Sequence, residues 1–116
     1  MRFLSIYKSV EKGVPPTPEE MAKMGKLVEE MMKAGVLLST EGCQPSAKGM
    51  RVRKSGAKLT VTDGPFTESK EVIGGFALME AKSKEEMIEL TKRFLNLAGD
   101  GECEIRLLYG PSDFPS

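Results

Sequence analysis

Residues 2–8, RFLSIYK, alternate: Phe3, Ser5 and Tyr7 project to one side and Leu4 and Ile6 to the other, the two-residue period of a β-strand. After the loop GVPPTPEE the period changes. Met21, Met24, Val28, Met31 and Met32 recur at helical spacing, and the spacing predicts a helix running to about Ala34. Thr17 is placed to cap it, Pro18 suits its first position, Glu20 completes a capping box, and Gly35 supplies the left-handed residue that ends it. VLLS (36–39) reads as a short buried strand and TEGCQPSAKG as irregular chain. MRVRK and AKLTVT are two short strands meeting at a Ser55-Gly56 hairpin turn, and DGPFTESK links them to a long strand, EVIGGFALMEA. Ser83-Lys84-Glu85-Glu86 is a second capping box, opening a helix whose Met87, Leu90, Thr91, Phe94, Leu95 and Ala98 form one stripe. GDGE closes that helix. CEIRLLYG (103–110) is the last strand, and the tail PSDFPS is expected to be extended and to dock through Phe114.

The order strand, helix, several strands, helix, strand is a split βαβ pattern. It predicts an α+β fold: a ferredoxin-like antiparallel sheet with two helices on one face and an inserted hairpin. Two helices cover only one face of such a sheet, yet the strands are apolar on both. Phe3 and Tyr7 oppose Leu4 and Ile6, and Val72, Phe76 and Leu78 oppose Ile73, Ala77 and Met79. Large apolar side chains in a contiguous exposed patch mark an interface. The expectation is a homodimer packed sheet against sheet, a dimeric α/β barrel, with a cavity between the sheets where Ser5, Gly74 and Gly75 leave room; the alternative is a monomer closed by its own tail and loops.

Composition narrows the class. A chain of 116 residues fits a single domain, residues 1–116, and 40% hydrophobic with 29% charged residues is the balance of a soluble protein. No apolar run approaches the roughly 20 residues that span a bilayer, and MRFLSIYKS lacks the apolar block of a signal peptide, so a cytoplasmic protein without a membrane partner is expected. Seventeen basic and seventeen acidic side chains cancel, which argues against a nucleic-acid partner. The basic run KGMRVRKSGAK is read as solvated side chains on an exposed hairpin. With no His and only Cys43 and Cys103, no metal site can be assembled, and both cysteines are expected to be small buried side chains. Any acid or base must be Asp, Glu, Lys, Tyr or Cys, and no cofactor motif is present.

The chemistry concentrates at DGPF. Pro65 lacks an N–H and ends the ladder, Asp63 is placed to accept hydrogen bonds from the turn, and Phe66 would then be an apolar plug. The other reading makes Asp63 a cavity-facing acid, base or ligand acceptor beside Thr67, Glu68, Lys70 and Glu71. The pair Gly74-Gly75 marks either a bulge or the close approach of another backbone or a ligand. EGCQPS breaks the chain after the second strand and brings Glu41, Gln44 and Ser46 towards the same edge. The candidate site is therefore Asp63 as the catalytic residue, with Tyr7, Glu41, Gln44, Ser46, Phe66 and Lys70 joining it as ligand contacts.

LLSTEGCQPS, RVR, VTDGPFTESKEVIGGFALMEAKSKEEM and EIRLLYG together resemble the YCII-related family in its DGPF-motif branch. The resemblance covers nearly the whole chain and implies a ferredoxin-like domain of the dimeric α/β-barrel superfamily, a homodimer with a cleft between sheets. Some relatives are lyase-like enzymes that eliminate chloride from an aromatic substrate, with a His-Asp pair as the active site of the YCII branch; the helical His of that pair falls here at Met24. Members of the DGPF branch are often encoded beside extracytoplasmic-function sigma factors, which implies a sigma-factor partner. Two functions are open: a module whose cleft binds a small organic ligand, and a cofactor-independent lyase or isomerase with Asp63 or Glu41 as base and Lys70 or Tyr7 as acid.

Overall fold

The computed structural model describes residues 1–114. The elements are β1 (Arg2–Ser9), α1 (Pro18–Lys33), β2 (Leu37–Gly42), β3 (Met50–Ser55), β4 (Lys58–Asp63), β5 (Val72–Glu80), α2 (Lys84–Ala98) and β6 (Glu102–Leu107). Four strands form an antiparallel sheet in the order β2-β5-β1-β6, and β3 pairs only with β4. This is the ferredoxin-like α+β arrangement with an inserted hairpin.

Local chemistry sets the helix ends. The Thr17 hydroxyl accepts from the Glu20 N–H at 3.1 Å, and the Glu20 carboxylate accepts from the Thr17 N–H at 3.0 Å. Gly35 ends the turn with φ +76°. Ser83 caps α2 in the same way, but Glu86 reaches back to the Lys82 N–H, at 3.4 Å, so the second box closes one residue early. The buried stripe of α1 is Leu27 and Met31 with Met24 and Val28 packed beside them, while Met21 and Met32 are exposed. Met32 sits about 100° round the helix from Met31 and so turns away from the sheet. Phe3, Leu37, Met79, Ala81 and Met87 complete the core.

Two bulges alter the strands. Tyr7 pairs with Gly75 but Lys8 pairs with Ile73, so Gly74 is an extra residue in β5. Ile73 therefore joins Phe76 and Leu78 on the open face, instead of Ala77 and Met79 beneath the helices. In β2, Leu37 pairs with Met79 and Ser39 with Leu78. Beyond that irregularity β2 continues to Gly42, through residues whose polar character had suggested irregular chain. The hairpin turn falls at Gly56-Ala57, with Gly56 at φ +61° and Ser55 paired to Lys58.

The last strand ends at Leu107, earlier than its apolar run implies. The tail is not extended: the Asp113 carboxylate accepts the Gly110 N–H at 2.6 Å and folds Pro111–Asp113 into a single 3-10 turn. Phe114 meets the Tyr109 ring at a centroid distance of 5.1 Å and remains largely exposed; Pro115 and Ser116 lie outside the described residues.

The open sheet face pairs Leu4 with Leu78 and Ile6 with Phe76, bordered by the ion pair of Lys8 and Glu104 at 2.8 Å. The accessible surface is 8894 Å² for 12.7 kDa, against about 6,200 Å² for a compact monomer of that mass. The radius of gyration is 16.5 Å, against about 13 Å for a compact chain of this length. The chain is spread into a slab with extents of 49 × 44 × 18 Å.

Candidate functional site

A cavity of about 380 Å³ lies between the helices and the sheet. Ser5, Tyr7, Gly75 and Ala77 form its floor, and Met24 and Met31 from α1 and Met87 and Phe94 from α2 form its roof. It arises because the strand residues facing the helices at mid-sheet are small. Ser5, Gly74 and Gly75 do leave room, and the room they leave lies beneath the helices of their own chain. Both readings of the glycine pair hold. Gly74 is the bulged residue, and a Cβ on Gly75 would stand 2.8 Å from the Glu41 carbonyl oxygen, so β2 can approach only a glycine there.

The walls are largely apolar, and three of their hydroxyls are already committed as donors. Tyr7 donates to the Asp100 carbonyl at 3.1 Å, Thr40 to the Phe76 carbonyl at 2.9 Å and Thr91 to the Met87 carbonyl at 2.8 Å. A hydroxyl has one proton and two lone pairs, so each has only acceptor capacity left. The Tyr7 ring is fixed edge-on against Phe94, with centroids 5.3 Å apart. Glu41 lines the cavity, but it pairs with Phe76 and so carries its carboxylate on the open face of the sheet.

The DGPF turn belongs to a separate polar clasp, centred on Ser46. Ser46 is buried; its N–H donates to one Glu11 carboxylate oxygen at 2.5 Å, and its hydroxyl donates to the other at 2.8 Å. The same hydroxyl accepts the Phe66 N–H at 3.1 Å. The Gly64 N–H donates to the Gly49 carbonyl at 2.9 Å, and the Gly64–Pro65 peptide is cis. Arg51 lies 3.8 Å over the Phe66 ring, donates to Ser69 Oγ at 2.9 Å and pairs with Glu68. The Glu68 carboxyl is held below its usual range, first by its own backbone N–H and then by Arg51.

These positions sort the expected site residues. Tyr7 and Glu41 line the cavity; Ser46 and Phe66 are built into the clasp. Gln44, Asp63 and Lys70 are exposed and do not line the cavity. Asp63 sits at the end of β4 opposite Met50, and the turn hydrogen bond expected of its carboxylate is replaced by the Ser46 hydroxyl. Met31 and Phe94 carry no functional signal beyond their helical stripes, Met24 stands where the helical His of the resembling branch falls, and Glu11, in a loop, carries none at all.

Cys103 is half-buried, and burial pushes its thiol up. Cys43 is exposed, against expectation, because it lies just past the end of β2, where the chain leaves the sheet. Among the described residues no group of three or more His, Cys, Asp or Glu could hold a metal ion. Among the described residues no helix is long and apolar enough to cross a membrane.

A curated relative, an uncharacterised protein of Rhizobium meliloti (strain 1021), is 29% identical over 99 residues, covering 83% of this chain and 80% of its own. The family model of the YCII-related domain matches residues 1–108, from the first strand through the last, and the chain belongs to that family.

Proposed function

We propose that the protein binds a small, uncharged, largely apolar molecule between the helices and the sheet of each subunit, and that it works as a homodimer. The observation that carries the ligand reading is the cavity itself: about 380 Å³, within the usual range for small-molecule sites. The hydroxyls of Tyr7, Thr40 and Thr91 offer lone pairs only, so the fitting ligand presents one or two hydrogen-bond donors, as an alcohol or phenol does. Met24, Met31, Met79 and Met87 give the walls a soft, adaptable lining. The dimer is supported by an accessible surface about 2,700 Å² above that of a compact monomer, a fraction of which would suffice for a stable interface. The open face of Leu4, Ile6, Ile73, Phe76 and Leu78 is the surface to be covered.

The test is a thermal-shift panel of phenols, short alcohols and hydroxylated terpenes. A ligand at a hundredfold excess over its dissociation constant raises stability by about 2.7 kcal/mol. Ala77→Phe, which fills the floor, should abolish the shift. A panel without any shift on the wild-type protein overturns the ligand reading.

A further inference from the structure

The β3–β4 hairpin has an apolar side that nothing in its own subunit covers. The register pairs Val52 with Val61, Met50 with Asp63 and Lys54 with Leu59. Residues directly opposite in a ladder share a face, so Met50, Val52, Leu59 and Val61 lie together, with Asp63 and Lys54 at the two ends of that face, and Arg51, Arg53, Lys58, Thr60 and Thr62 lie on the reverse. The four apolar side chains are 64–67% exposed. A two-stranded hairpin is at best marginal in water and is normally stabilised by packing against something else. Yet the chain takes care over how this one is mounted: the Ser46–Glu11 clasp, the Gly64–Gly49 hydrogen bond and the Arg51–Glu68 pair all grip its base.

We infer that the hairpin is an arm whose apolar side lies on a second copy of this chain. The inference rests on the homodimer reading and adds to it an element away from the open sheet face. Charge favours a second copy as the occupant. Residues 42–62 hold Lys48, Arg51, Arg53, Lys54 and Lys58 and no acid, so in a chain of formal charge zero the remainder carries five more acids than bases. Arg51, Arg53 and Lys58 lie on the reverse of the arm and only Lys54 on its apolar side, so this charge complements a partner's body along the flanks of the contact and not within it. Shape favours it too: both the arm and the open sheet face of one subunit are uncovered, and a two-fold axis covers both pairs of surfaces at once without leaving a free end. The large excess of accessible surface is consistent with an interface of two such parts.

The experiment compares the wild-type protein with Val52→Glu/Val61→Glu on the arm and with Phe76→Glu on the sheet, by sedimentation, with circular dichroism as the check on folding. The wild type should be dimeric at micromolar concentration, and the arm variant should weaken the dimer by about a hundredfold or more. A photo-crosslinking residue at position 59 should join two subunits, which keeps the inference testable if the double variant folds poorly. A dimer that Phe76→Glu disrupts, but that the arm variant leaves intact and position 59 does not crosslink, overturns the arm while the sheet-to-sheet dimer stands. A wild-type monomer at the same concentration overturns both.

Discussion

A Cβ on Gly64 would overlap the carbonyl oxygen of Ser46, so position 64 admits no side chain. The obstacle is backbone, not the end of a flexible side chain, and the Gly64 N–H is fixed on the Gly49 carbonyl at 2.9 Å. The glycine of DGPF is there to let two loops touch.

Gly64→Ala should destabilise the protein by about 1–3 kcal/mol, as forced overpacking does. Gly25 supplies the contrast: it lies inside α1, and a Cβ there meets nothing within 4 Å. Gly25→Ala should stabilise by up to about 1 kcal/mol through helix propensity alone. Urea titration measures both, and shifts of the same sign would refute the distinction.

Ser46→Ala removes a buried hydroxyl that accepts the Phe66 N–H and donates to Glu11. Both partners lose a hydrogen bond, and the expected cost is about 1–3 kcal/mol. Glu11→Gln weakens the same cluster, so the double substitution should cost less than the sum of the two, with a coupling of about 0.5–3 kcal/mol. Strict additivity in a double-mutant cycle would show that the clasp does not act as a unit.

Periodicity revealed both helices, their N-caps and the main strands, because each rests on interactions a few residues apart, such as Thr17 with Glu20. It also exposed the two-sided apolar character of Phe3, Leu4 and Ile6. What it could not reveal depends on pairings across long stretches of chain. The bulge at Gly74 is set by the register of β5 on β1, and it moves Ile73 to the opposite face. Ser46 meets Glu11 across 35 residues, a pairing with no local pattern. The cavity is the same kind of feature: Ser5, Gly75 and Ala77 are small in sequence, but only the folded sheet puts them side by side beneath Met87 and Phe94.

The ion pair on the open face should give stability a plateau with two edges. The Glu104 carboxyl is held below its ordinary range, first by its hydrogen bond to Lys8. Its contribution is thus present above the ordinary carboxylate value of about 4.3 and is lost as pH falls through the lowered one. The Lys8 ammonium is raised, first by the same hydrogen bond and the Glu104 charge, with Glu102 and Glu71 adding to it. Its contribution is present below about 10.4 and is lost as pH rises through the raised value. Glu104→Gln should therefore lower the urea midpoint across the neutral range, and the difference from wild type should close at both extremes. A difference that persists in strong acid would assign the effect to packing, not charge.

The two cysteines should differ in reactivity, because the nucleophile is the thiolate and burial disfavours it. Cys43 is exposed just past the end of β2. Cys103 lies in β6 opposite Tyr7, its thiol pushed up by burial, an effect its hydrogen bond with Ser5 only partly offsets. Restricted access slows attack at Cys103 further. At about pH 8, iodoacetamide should modify Cys43 at least about tenfold faster than Cys103, as followed by mass spectrometry of the intact and digested protein. Denaturant should bring the two rates together, since the difference belongs to the fold. Equal rates in the native protein would mean that β6 is open to solvent beneath the helices, and with it the wall that carries Ser5 and Tyr7.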